Sequence, residues 1–239
     1  MSSVKKNQDN KPKVEQNDQD NATKTEQNTE IQNTEIDNEQ KSRLKKAKKA
    51  TAARLAAGCG VLTAVAVVLQ FLEFPIPVIP SFIKLDFSDL PELIGAFAYG
   101  PLAGIGIALL KNVIHLAVSQ SAFIGELSNF LLAAVFCGTA GFIYQRNHTE
   151  AGALLAGLIA TACMAVVCYP LNLFVIYPMY YNILGFPESA VLDLYRAIVP
   201  LTPNISVAIL IFNVPFTFLK GAVCVLGSAL LYPRVSIGL

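Results

Sequence analysis

Prolines at 75, 77, 80 and 91 stiffen residues 74–91, which separate two long apolar runs of this 239-residue chain. Each proline fixes φ and removes a backbone donor. The segment therefore cannot cross a bilayer as ordinary helix, where every amide needs a partner inside the protein. It lies at a membrane surface or lines a cavity, and because it also carries Lys84, Asp86 and Asp89, a substrate role is the first to test.

The chain is 54% hydrophobic, yet its charges crowd into the first quarter. Residues 1–40 hold five Lys and nine Asp or Glu, with little apolar beyond Val4, Val14, Ile31 and Ile36. Such a tail buries no core and is expected to be disordered. Its tandem Gln27-Asn-Thr-Glu-Ile31 and Gln32-Asn-Thr-Glu-Ile36 is a low-complexity expansion, to which no chemistry is assigned. Residues 41–54 carry seven Lys or Arg and no acid. Beside an apolar run, that cluster predicts a cytoplasmic N-terminus and a lipid neighbour rather than a nucleic-acid site. The leader is polar and the first apolar run is long enough to span, so no secretory signal peptide is expected. Residues 55–239 form the expected membrane domain.

The first run, residues 52–72, is about one bilayer long at 1.5 Å per residue. Residues 92–118 are apolar but interrupted at Gly100-Pro101; as one helix they would reach roughly 40 Å, and as two they give a short helix, a turn and a second helix. Further runs cover 123–144, 151–177 and 205–232. If the Gly-Pro break is a turn, the chain is an all-α membrane protein with six transmembrane helices, a short second helix, a proline-rich outer loop and both termini cytoplasmic. Tyr177, Tyr180, Tyr181 and Tyr195 would then sit near the outer interface. Ala56, Gly60 and Ala64 form a small-residue stripe along the first helix, open to packing within the chain or against another protein.

The five cysteines, Cys59, Cys137, Cys163, Cys168 and Cys224, all lie in apolar runs. They read as buried small side chains, not as disulfides or metal ligands. Polar residues inside such runs cost several kcal/mol unless partnered, so each is a candidate for function. Asn213, Thr217 and Lys220 fall at i, i+4 and i+7 around Pro215, and Asn172 follows Pro170. Asn172, Thr217 and a lone cation at Lys220 suit a neutral, acceptor-rich heterocycle. Glu126 and Lys111 are expected to be satisfied structurally, for example with Lys111 or Lys220 paired to Glu126. No nucleophile with its base, histidine pair with a carboxylate, or phosphate loop is present, so neither an enzyme nor a bound cofactor is expected.

Several stretches carry a family likeness: Phe74-Pro-Ile-Pro, Ile83-Lys-Leu-Asp-Phe-Ser-Asp-Leu-Pro91, Leu93-Ile-Gly-Ala-Phe-Ala-Tyr-Gly-Pro101, Leu110-Lys-Asn112, Gly125-Glu-Leu-Ser-Asn129 and Pro215-Phe-Thr-Phe-Leu-Lys-Gly221. In order and spacing they resemble the substrate-binding S components of energy-coupling factor (ECF) vitamin transporters, most closely the riboflavin-specific group. The resemblance implies six helices, and so a turn at Gly100-Pro101. It implies riboflavin or a related small molecule as ligand, held near the outer face by Ile83, Lys84, Leu85 and Asp86 in the loop, Asn172 in helix five and Lys220 in helix six. Thr217 stands where the family usually has Asn. The partners implied are a membrane coupling subunit and two ATPase subunits, with Gly60 and Ala64 at the family's docking motif. Rival readings are an S component for another vitamin or nucleobase-like compound, and a stand-alone proton-coupled secondary transporter with Glu126 or Lys111 as relay.

Overall fold

The computed structural model describes the backbone of residues 11–119 and 121–235, and the side chains of residues 40–119 and 121–231. Residues 1–10 of the expected tail, and the side chains of 11–39, lie outside the described residues; the backbone from residue 11, expected to be disordered, is helical. The chain divides into two compact units, Met1–Arg54 and Leu55–Leu239. In the first, residues 40–54 are helical with exposed side chains, and Thr51 Oγ1 donates back to the Ala47 carbonyl at 3.1 Å. The candidate site lies wholly in the second.

Helix α1 (Lys11–Phe71) ends where the proline-rich strap begins. The strap opens with strand β1 (Phe74–Pro75), which pairs antiparallel with β2 (Lys84–Leu85) in the register Phe74 with Leu85 and Pro75 with Lys84. Between them, turns closed by Ile79 N–H on the Ile76 carbonyl and Ile83 N–H on the Pro80 carbonyl satisfy backbone groups that the prolines deny to a helix.

Helix α2 (Asp89–Tyr99) follows, and α3 (Pro101–His115) begins after a single turn residue. The Gly-Pro break is thus a sharp turn. Gly100 has φ +97°, a conformation open to glycine, and Pro101 occupies the first helical position, where its missing N–H costs nothing. A single 3-10 turn (Leu116–Val118) closes α3. Helix α4 (Ile124–Tyr144) packs on α3 and on α5 (Glu150–Leu171). Close approach depends on Gly141, where an added Cβ would lie 2.8 Å from the Pro101 Cα. That neighbour is backbone and cannot swing aside. Gly141→Ala is therefore expected to destabilise the protein by about 1–3 kcal/mol, read as a lower thermal midpoint in detergent.

Helix α5 continues through a π-segment (Asn172–Ile176) into α6 (Tyr177–Ile183). Likewise α8 (Ile205–Ala208) passes through a π-segment (Ile209–Asn213) into α9 (Val214–Val235), and between these two spans lies the short helix α7 (Glu188–Arg196). Each π-segment has a proline just beyond it, Pro178 and Pro215. Neither proline can donate to the carbonyl four residues back, Phe174 and Ile211 respectively, so the helix widens to accommodate the lost bond. Both widened turns bear an inward amide, Asn172 and Asn213, each buried.

Five helical stretches are long and apolar enough to cross a membrane: Gln40–Phe71, Pro101–Val118, Ile124–Tyr144, Glu150–Ile183 and Ile205–Leu231. With the 11-residue α2 as the short sixth element, this is the all-α membrane fold the sequence leads one to expect. The core joins Leu93 and Ala96 of α2, Phe136, Cys137 and Ala140 of α4, Ala160 and Met164 of α5, and Cys224 and Val225 of α9. A second core gathers Val191, Leu192 and Tyr195 of α7 with Tyr177, Ile205, Ala208, Ile209 and Phe212. Tyr177 and Tyr195 are buried in this core, 2% and 0% exposed, with their hydroxyls bonded to each other and to Asn213.

Candidate functional site

Proline stiffness holds the strap against the bundle, and charge fastens it. Asp86 accepts from the Ser88 N–H at 2.8 Å and from the Ser88 hydroxyl, and its Oδ2 lies 3.1 Å from Lys220 Nζ on α9. Lys220 also reaches Asp89 Oδ2 at 3.1 Å and Asn129 Oδ1 of α4 at 3.4 Å. Three acceptors thus match the three N–H donors of the ammonium. Lys220 is therefore not the lone cation expected from sequence, but the post to which strap, α2 and α4 are tied.

Burial would push the Asp86 carboxyl up. The ammoniums of Lys220 and then Lys111, with the Ser88 hydrogen bonds, outweigh it and hold Asp86 down at about 2. The strap's ion pair consequently persists at any ordinary pH.

Lys111 of α3, fully buried, lies 2.6 Å from Glu92 Oε1, 2.7 Å from Ser88 Oγ and 3.4 Å from Asp89 Oδ1. Glu126 binds His115 Nδ1 at 3.0 Å and accepts from Ser119 Oγ at 2.9 Å and Ser121 Oγ at 3.2 Å. Both groups are satisfied structurally, as anticipated, but neither lysine pairs with Glu126. The acids of α2 lie nearer the lysines, while Glu126 starts α4 beside the end of α3.

Below the strap is a cavity of about 740 Å³. Ile83, Lys84, Asp86, Asn172, Thr217 and Lys220 all border it, so the structure brings six of the seven ligand candidates together. Leu85 does not border it. Strand alternation turns Leu85 away from its neighbours Lys84 and Asp86, and it pairs with Phe74 across the hairpin. Lys84 itself pairs with Glu73 at 2.5 Å. The sequence reading did not assign Gln70, Phe82, Ser128, Asn129, Cys168 or Phe216 to the site, yet they also border the cavity. Ser128 and Asn129 had a signal in the Gly-Glu-Leu-Ser-Asn stretch and Phe216 in the 215–221 stretch; Gln70, Phe82 and Cys168 sit among ordinary apolar or loop residues. Phe82 stands edge-on to Tyr195, with ring centroids 5.7 Å apart, which joins the strap to the second core.

The arrangement suits a flat, partly polar molecule. Its size is in the usual range for small-molecule sites, and aromatic walls alternate with a few fixed polar groups. Asn172 Nδ2 donates to the Cys168 carbonyl at 2.8 Å and Thr217 Oγ1 to Cys168 Sγ at 3.2 Å. Among the described residues no cluster of His, Cys, Asp or Glu has metal-binding spacing.

The remaining candidates, Ala56, Gly60 and Ala64, lie apart from the cavity on α1, and all three are exposed. An added Cβ at Gly60 would meet nothing within 4 Å. The residues of α1 that pack internally are on another face: Gly58, against Tyr99, and the buried Thr63, Ala66 and Gln70. The stripe is thus exposed, with no neighbour within 4 Å of a Cβ at Gly60.

Comparison with known proteins gives concordant results. A family model described as "ECF transporter, substrate-specific component" matches residues 57–232. The riboflavin transporter RibU of Staphylococcus aureus (strain TCH60) is 36% identical over 176 residues, 74% of this chain and 87% of that protein. The riboflavin transporter FmnP of Bacillus subtilis (strain 168) is 31% identical over 178 residues, 73% and 88% of the respective chains. A solved structure titled "Structure and mechanism of the S component of a bacterial ECF transporter" aligns with a TM-score of 0.60 and 34% identity, covering 77% of this chain and 95% of its own.

Proposed function

Because the chain belongs to the substrate-specific components of ECF transporters, we propose that it is the riboflavin-binding subunit of an ATP-driven vitamin importer, as the names of its relatives suggest. The observation that carries the ligand assignment is the meeting of strap, α5 and α9 around one cavity of about 740 Å³. Phe82, Tyr177 and Phe216 supply apolar walls for the ring system, and Asn172 and Thr217 meet its polar edge. Lys220 borders the same space while holding the strap closed through Asp86.

The basic residues 41–54 support an N-terminus in the cytoplasm, and with six spans the C-terminus would return to the same side. The strap then faces outward, where the vitamin arrives. Energy comes from a membrane coupling subunit and two ATPases, docked on the exposed face of Ala56, Gly60 and Ala64. Small residues there let a partner helix approach closely.

Titrating riboflavin into the purified full chain should quench flavin fluorescence to a one-to-one endpoint, and protein from cells supplied with the vitamin should be yellow. A colourless protein that leaves flavin fluorescence unchanged rejects the ligand. Uptake by cells carrying the chain should need the ATPases; uptake that continues without them and collapses with the proton gradient rejects the importer.

A further inference from the structure

Two cavity-lining polar groups, Asn172 and Thr217, are tied to one residue, Cys168. Asn172 Nδ2 donates to the Cys168 carbonyl at 2.8 Å and lies 3.2 Å from its sulfur, and the Thr217 hydroxyl donates to the same sulfur at 3.2 Å. Only the nitrogen end of an amide can donate to a carbonyl, so these contacts fix which way the Asn172 amide faces. Its Oδ1 is left over. That oxygen takes no hydrogen bond from any described residue, although Asn172 is only 6% exposed and borders the cavity. Thr217 has its proton committed to sulfur and keeps its oxygen lone pairs. Cys168, 1% exposed, thus turns two amphoteric side chains into a pair of acceptors.

A buried acceptor left unpaired costs more than a hydrogen bond gains, so such a pair admits ligands that bring a donor and penalises those that do not. We infer that Cys168 is a positioning residue that sets the hydrogen-bond polarity of the site, selecting a heterocycle that presents a ring N–H to Asn172 and Thr217. The inference rests on the flavin reading above, since the flavin imide N–H is a group of this kind. Were the sulfur removed, the Cys168 carbonyl would still hold the Asn172 amide, but the Thr217 hydroxyl would be free to turn and donate, so a ligand without the donor would face one fixed, unpaired oxygen instead of two.

The test compares riboflavin with riboflavin methylated at its imide nitrogen, by fluorescence titration of the full chain and of C168A and C168S. The wild type should prefer riboflavin. In C168A that preference should shrink by about tenfold, the worth of one neutral hydrogen bond. C168S retains an acceptor at the same place and should restore the preference. If C168A does not fold, C168V keeps the bulk without the acceptor and serves in its place. An unchanged preference in C168A, or no recovery in C168S, overturns the role of Cys168, because a merely structural effect would weaken both ligands alike. A wild type that binds neither flavin overturns the ligand reading beneath it.

Discussion

Replacing Lys220 with methionine should abolish flavin binding and cost about 3–5 kcal/mol of stability, the usual result of removing one partner from a buried ion pair. The size follows from what is left behind. Asp86, Asp89 and Glu92, exposed by 4%, 2% and 0%, would retain Lys111 as their nearest cation. Asp86 would lose its tie to α9, and with it the strap would lose the contact that holds it over the cavity. The double variant K220M/D86N removes one orphaned charge as well. It should recover part of the stability but none of the binding, since the strap stays unfastened. Thermal unfolding in detergent gives the first quantity and fluorescence titration the second. A K220M protein that melts like the wild type and still binds flavin would show that the lysine fastens nothing.

The opposite separation is expected on α1. Gly60→Leu together with Ala64→Leu should stop uptake in cells that contain the ATPases, while changing flavin affinity by no more than about twofold, as exposed substitutions away from a site usually do. Both residues are exposed and neither borders the cavity. Leucine at these positions fills the space a partner helix would enter. Uptake assays in whole cells and titration of purified protein distinguish the outcomes. Normal uptake would move the docking face elsewhere, and lost binding would mean that the stripe supports the fold.

Much of this architecture was legible because it is written in local chemistry. Gly100-Pro101 marked an interruption that the residues left open between one long helix and two, and the family resemblance favoured the turn that the structure has, with Gly100 at positive φ and Pro101 at the first helical position. The 3.6-residue period places Thr217 and Lys220 on one face of α9, and both border the cavity. Pro170 and Pro215 are the prolines that stand out beside the polar residues; Pro215 does follow a π-segment, but the π-segment at Asn172 goes with Pro178, which carried no such reading. What escaped depends on how helices register against one another. Lys111 meets Glu92 rather than Glu126 because α2 folds back on α3, a contact no spacing along the chain encodes. Lys220 looked solitary in its own helix, and its partners are 134, 131 and 91 residues away. Leu85, grouped with its neighbours by the family resemblance, is the one of the four loop residues that does not border the cavity. Helix α7 was missed because it turns only three residues inward, Val191, Leu192 and Tyr195.

Strap, α5 and α9 should close around one flavin. The most direct measurement is a crystal structure of the full chain grown with riboflavin. The account predicts ring density in the cavity beneath residues 82–86, with the polar edge toward Asn172 Oδ1 and Thr217 Oγ1 and the Asp86–Lys220 pair intact. Flavin bound anywhere outside this cavity, or an ordered structure in which the cavity holds no flavin at saturating vitamin, would contradict it.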